Sequence, residues 1–272
     1  MKAVIYLFSG TGNTKKVAEE FGRNLSERGV EAKIIDVESK TVEKDVDLIG
    51  IAYPIHAFSA PENVINFVRS LPDGNCRAFF IKTGGESLVF NDASSAKINK
   101  ILKKKGYDTV ADYLYVMPYN MLYRHSDSMA TKMWFTAKRK AAKDAEALLE
   151  GRREKLGGET PVSFIFRNVE QRFMHINGRL FKVKDGCVNC GACVRACPQK
   201  NISVKEGKVV FGGNCIGCVR CSFNCPVGAI DIGLLNMWKV NGRYRYGEIE
   251  PQTYEVKYLK KAYKKYFDEN EK

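Results

Sequence analysis

Hydrophobic and polar positions in the first half of the chain follow two alternating periods. Residues 2–8 form a short apolar run of the kind that becomes a strand buried on both faces, and 31–36, 46–53, 77–83 and 109–117 repeat it. Between these runs the apolar positions recur at helical spacing. Val17, Ala18, Phe21 and Leu25 share one face, and 61–71 and 93–105 read as helices. Residues 128–155 read as a long helix with Met133, Trp134, Ala137, Ala141 and Leu148 on its buried side, stopped by Gly157 and Gly158. Strands alternating with helices predict an α/β fold with a doubly wound parallel sheet. A further stripe, Val162, Ile165, Phe166, Val169, Phe173 and Ile176, predicts a linker helix within 156–182 that packs through its apolar face. Residues 202–204 and 208–211 read as a short hairpin. In the tail, 236–272, Tyr254, Tyr258, Ala262 and Tyr266 recur every four residues among lysines, which predicts a helix with its tyrosines laid on the body.

Eight of the nine cysteines lie between 187 and 225, in two copies of one pattern, C-x2-C-x2-C-x3-C-P. The first is Cys187, Cys190, Cys193 and Cys197-Pro198; the second, 28 residues on, is Cys215, Cys218, Cys221 and Cys225-Pro226. Three thiolates at i, i+3 and i+6 on a tight loop reach three corners of a cuboidal cluster, and the Pro turns the chain away after the fourth. A disulfide framework suits small secreted domains. Structural zinc pairs one C-x2-C with a distant second pair, not three close cysteines followed by Cys-Pro. These residues resemble the bacterial 2[4Fe-4S] ferredoxins. The resemblance implies two [4Fe-4S] clusters and crossed ligation, with Cys187, Cys190, Cys193 and Cys225 on one cluster and Cys215, Cys218, Cys221 and Cys197 on the other. It also implies a small α+β ferredoxin domain over 183–235.

The first strand runs into Ser9, Gly10, Thr11, Gly12, Asn13 and Thr14, after which a helix begins. A Gly- and hydroxyl-rich loop before a helix N-terminus offers backbone N–H groups and a favourable dipole to a phosphate. It is neither a G-x-G-x-x-G nor a Walker loop. It is similar to the flavodoxin phosphate loop, S/T-x-T-G-x-T, through Ser9, Thr11, Gly12, Asn13 and Thr14. That resemblance implies FMN as cofactor, a five-stranded sheet ordered 2-1-3-4-5, and an FMN-binding domain over 1–155. It implies that Pro54, Ile55, His56, Ala57 and Phe58 flank one side of the flavin ring, with His56 and Phe58 as stacking candidates. Thr83, Gly84, Gly85 and Glu86 then flank the other. Two departures stand out: the first of these loops has no Gly, and the second lacks the Gly-Asp-Tyr pattern. Tyr119, Asn120 and Tyr123 are candidates to close the site.

Formal net charge is +13. Two clusters with their thiolates add about −4 and a flavin phosphate about −2, leaving the loaded protein moderately basic. Acidic redox proteins are the expected partners; no nucleic-acid motif accompanies the charge. With no apolar run of membrane-span length and no export signal, a cytoplasmic location is expected. The whole chain resembles flavodoxin–ferredoxin fusions of anaerobes, which implies an electron carrier with no catalytic set of its own. The competing expectation is an FMN-dependent reductase of a quinone, nitro compound, metal ion or disulfide, with His56, His125, Tyr119 and Tyr123 around its pocket.

Overall fold

The computed structural model describes residues 1–86 and 89–271. Strands β1 (Lys2–Leu7), β2 (Glu31–Asp36), β3 (Leu48–Pro54), β4 (Arg77–Gly84) and β5 (Asp108–Val116) form one parallel sheet in the order 2-1-3-4-5. Helices α1 (Asn13–Glu27), α2 (Glu62–Ser70), α3 (Ala96–Lys104) and α4 (Asp127–Leu149) cover its two faces. Strand side chains alternate, so each face has its own core. Ile5, Leu7, Phe79, Ile81 and Tyr113 meet α1 and α4 on one side. Val4, Ile49, Ile51, Tyr53 and Phe80 meet α2 and α3 on the other. Each such side chain stabilises the fold by about 1.5–3 kcal/mol when fully buried. This is the flavodoxin-like member of the doubly wound folds, whose ligands bind beyond the carboxyl ends of the strands at the β1/β3 switch point.

The long helix ends at Leu149, not at 155. Gly151, with φ of 78°, turns the chain left-handed, and the Arg152 and Gly151 N–H groups close back on the Ala147 and Leu148 carbonyls. Gly157 and Gly158 lie beyond this stop. Helix α5 (Pro161–Gly178) opens with a capping box between Thr160 and Ser163. Its packing reverses the expectation for most of the stripe: Ser163, Arg167 and Asn177 are buried, whereas Val162, Ile165, Phe166, Val169 and Ile176 are exposed, and of the expected residues Phe173 packs on the core beside the cysteines. Arg167 pairs with Glu159, His175 Nε2 lies 3.2 Å from a Glu62 carboxylate oxygen on α2, and Asn177 Nδ2 donates to the Ile232 carbonyl at 3.0 Å. Paired polar groups therefore bolt α5 down.

After α5 come β6 (Lys182–Val183), α6 (Ala192–Ala196), β7 (Ile202–Lys205), β8 (Lys208–Phe211), α7 (Arg220–Phe223) and β9 (Ile230–Asp231). β7 and β8 form the expected antiparallel hairpin, and β6 pairs with β9. A small core of Phe181, Ile202, Val219, Ile230 and Ile232 holds these pieces together, with cysteines of both runs packed on it. The tail is helical only over α8 (Lys260–Glu271). The side chains it buries are Tyr263, Tyr266 and Phe267; of the expected stripe Tyr266 is buried and Tyr254 packs beside Phe267, whereas Tyr258 stays exposed. Glu250, held well below the usual carboxylate range by Arg139 and Lys132 of α4, pins the segment before α8.

Candidate functional site

The loops at the carboxyl ends of β1, β3, β4 and β5 enclose a cavity of about 370 Å³. Ser9, Gly10, Thr11, Asn13, Thr14, Pro54, Ile55, His56, Ala57, Phe58, Thr83, Gly84, Gly85 and Glu86 all line it. Gly12, the remaining loop residue singled out in the sequence, opens α1 with φ of 109° and no side-chain cap. The α1 N-terminus thus keeps its dipole for an anion, with one first-turn N–H, that of Lys15, already given to Ser9 Oγ at 3.3 Å. The loop hydroxyls are already oriented. Ser9 Oγ accepts from Gly12 N at 3.1 Å, Thr14 Oγ1 bonds Thr83 Oγ1 at 2.7 Å, and Thr11 Oγ1 accepts from Asn120 Nδ2. Asn120 Oδ1, in the same wall, is buried with no partner among the described residues. A polar atom left so, beside an uncapped helix end and apolar loops, fits a mononucleotide carrying a phosphate and a flat polar ring.

His56, Ala57, Phe58 and Ser59 form a two-residue turn. His56 N donates to the Ser59 carbonyl at 2.9 Å, and Ser59 N to that of His56 at 2.8 Å. Ala57 and Phe58 take φ of 39° and 63°, a pair of left-handed residues normally left to Gly or Asn. A Gly-free sequence therefore still makes the sharp turn, at a cost of about 1 kcal/mol or more per residue. Burial pushes His56 down to about 4, so its ring is neutral near pH 7. Tyr119 donates to the Glu86 carboxylate, which gives the β4 loop a partner in place of the missing Gly-Asp-Tyr pattern. Tyr123 and His125, expected near the site, do not line the cavity; they pack behind Tyr119 with Tyr258 and Tyr263.

The cysteines border two further cavities. One is lined by Cys187, Cys190, Cys193 and Cys225, the other by Cys197, Cys215, Cys218 and Cys221. Each cavity therefore takes three cysteines from one run and the fourth from the other run. Among the described residues, no three His, Cys, Asp or Glu groups close on a point as ligands of a single ion would. Four cysteines around each void suit a cuboidal cluster ligated at its corners. Backbone N–H groups of Asn201, Gly217 and Ala229 reach Cys197, Cys215 and Cys225 Sγ at 3.3–3.4 Å, the bonds that tune a cluster's potential. Burial pushes the Cys218 thiol up to about 12, so a thiolate there depends on bound iron.

The second cysteine cavity abuts the first site. Gly217, Cys218 and Val219 line the strand-end cavity together with Glu170 and Met174 of α5. Arg220 Nη2 donates to the Ser9 carbonyl at 2.9 Å, Nη1 reaches the Ala196 carbonyl at 3.2 Å, and the guanidinium pairs with Glu38 at 2.5 Å. The sequence reading missed Arg220, Glu170 and Met174, which no motif marks. It also missed three tail tyrosines. Tyr246 donates to Asn13 Oδ1 at 3.0 Å, Tyr244 to the Tyr119 carbonyl at 2.7 Å and Tyr263 to the Gly85 carbonyl at 2.6 Å.

Residues 186–229 match the family model of the 4Fe-4S dicluster domain. A 49-residue stretch is 40% identical to the polyferredoxin protein MvhB of Methanothermobacter marburgensis; it covers 18% of this chain and 12% of that protein. Among solved structures, a flavodoxin from the domain Archaea is 17% identical with a TM-score of 0.35, covering 55% of this chain and 99% of that one. The NAD(P)H:quinone oxidoreductase from Methanothermobacter marburgensis is 12% identical with a TM-score of 0.40, covering 54% and 94%. Flavodoxin 1 from Bacillus cereus is 15% identical with a TM-score of 0.38, covering 55% and 98%. No helix among the described residues is long and apolar enough to cross a membrane. The chain thus joins an α/β unit with the flavodoxin strand order to a cysteine-rich segment that matches the 4Fe-4S dicluster domain.

Proposed function

We propose that this chain is an electron-transfer protein that relays electrons between two [4Fe-4S] clusters and an FMN, to or from acidic redox proteins. In this reading residues 1–155 hold FMN, 156–182 join the units, 183–235 hold the clusters and 236–272 brace the flavin site. The 9–14 loop takes the phosphate, and the 54–58 and 83–86 loops take the ring. Each cluster takes the crossed set of cysteines. Bound there, the clusters supply one-electron chemistry, and the flavin accepts one or two electrons. The observation that carries the reading is the shared wall: Cys218 borders both the second cysteine cavity and the strand-end cavity. A cluster ligand beside the flavin cavity shortens the path between cofactors, and Arg220 holds the two loops together.

The test is rapid mixing of anaerobic holoprotein with a reductant and then with candidate acceptor proteins. Cluster and flavin absorbance should change together at a rate independent of protein concentration. Transfer onward to an acidic protein should slow as salt screens the basic surface. Saturable turnover of a quinone, nitro compound, metal ion or disulfide, insensitive to salt and abolished by His56→Ala, would establish the reductase instead.

A further inference from the structure

The outward face of α5 is apolar and almost uncharged on a chain of net charge +13. Val162, Ile165, Phe166, Val169 and Ile176, which share one face, are each 42–61% exposed. At about 150 Å² per side chain, the lower end of the aromatic range, they leave roughly 400 Å² of apolar surface on one helix. That lies within the range, about 300–600 Å², for the largest and often functional patch on an ordinary monomer. Leu180 and Leu234 extend it at the C-terminal end, where Leu234 N is held by Asn177 Oδ1 at 2.8 Å. Two such extended patches, roughly 550 Å² each, bury about 1,100 Å² when they meet, which clears the ~1,000 Å² total expected of a biological interface.

The pattern of the stripe selects its partner. Val162, Val169 and Ile176 recur every seven residues, with Ile165 and Phe166 filling the intermediate row. A stripe with this spacing is a seam for another helix. The polar face of α5 is already spent on Glu159, Glu62 and Ile232, so rotating the helix inward would break paired groups. Charge points the same way. Arg172 is the one exposed charge of α5 among the described residues, so the face offers an acidic protein little to grip. Two copies of a basic chain, in contrast, meet most easily across a neutral patch. We infer that the α5 stripe is a two-fold interface, and that a second copy of this chain covers it with its own α5. The contact is isologous, each stripe burying the other. It also places the partner copy beside the strand-end cavity, because Phe166 packs edge-on against Phe58 at 5.6 Å.

Sedimentation of anaerobic holoprotein from about 1 to 100 µM should show a dimer, and adding salt should not dissolve it, since screening relieves the like-charge repulsion. Val169→Glu and Ile165→Lys alter exposed side chains. Each should weaken dimerisation by at least about 100-fold, two charges being buried per interface, while iron, sulfide and flavin contents stay unchanged. A wild-type chain that is monomeric throughout this range overturns the inference, as does a dimer that neither substitution loosens. Wild-type monomer that co-sediments with phosphatidylcholine–phosphatidylserine vesicles and loses them on Val169→Glu would also overturn it, in favour of a lipid surface.

Discussion

Gly10 and Cys218 touch through their backbones: a Cβ added at Gly10 would stand 2.6 Å from the Cys218 carbonyl oxygen. The phosphate-type loop and the second cysteine run are therefore packed as tightly as residues within one core. A side chain at Gly10 must push the two units apart, because the obstacle is backbone and cannot swing aside. Gly10→Ala is expected to leave both cofactor types bound yet slow cluster-to-flavin transfer about tenfold or more. Stopped-flow absorbance on the anaerobic protein measures this. Transfer at the wild-type rate would mean that the electron path does not cross this contact.

The two cysteine cavities predict crossed damage. Cys197→Ser should disturb the cluster that shares a wall with Cys215, Cys218 and Cys221, and Cys225→Ser the one beside Cys187, Cys190 and Cys193. Paramagnetic resonance of the reduced single variants separates the two signals. If Cys197→Ser changes only the signal also lost in Cys190→Ser, each run holds its own cluster and the crossing is wrong.

Tyr263 donates to the Gly85 carbonyl on a loop that lines the strand-end cavity. Tyr263→Phe keeps the ring packed on Phe267 and removes that hydrogen bond, worth about 0.5–1.5 kcal/mol, together with the longer 3.4 Å contacts to Tyr123 and His125. Flavin affinity should fall roughly 3- to 10-fold, with cluster content unchanged. Fluorescence titration of flavin-stripped protein with FMN reads the loss directly. An unchanged affinity would relieve the tail of any part in the site.

Burial and the neighbouring Glu62 push the Glu170 carboxyl up to about 7. A carboxyl whose folded pKa is raised binds its proton more tightly in the folded state. Stability therefore falls as pH rises from the ordinary carboxylate range through about 7, then levels off. Glu170→Gln removes the buried charge. Its advantage over wild type should be absent below about pH 4.5, grow up to about pH 7 and then level off at on the order of 1–2 kcal/mol by pH 8.5. Thermal midpoints of holoprotein across that range provide the check; a difference that does not grow with pH contradicts the assignment.

Much of the architecture was legible because it is set by neighbours a few residues apart. Buried strands such as 2–8 and 109–117 announce themselves as short apolar runs, and the i, i+3, i+6 cysteines carry their chemistry in their spacing. Helical periodicity likewise located α5. It could not say which way the stripe faces, because a 3.6-residue repeat defines a face without naming what lies against it. Pairing decided that, through Glu62 on α2 and Ile232 beyond the cysteine runs. The same holds where the cavities meet: Arg220 binds Ser9 across 211 residues of sequence, and Tyr246 binds Asn13 across 233. Neither pair has a local signature. A hydrogen bond to a backbone carbonyl asks nothing of the partner's side chain, and a tyrosine in a lysine-rich tail looks the same whether it lies on the flavin loops or in water. The residue types and their spacing pointed to the cofactors proposed for the chain. Only the packing of distant segments brought Cys218 to the wall of the strand-end cavity.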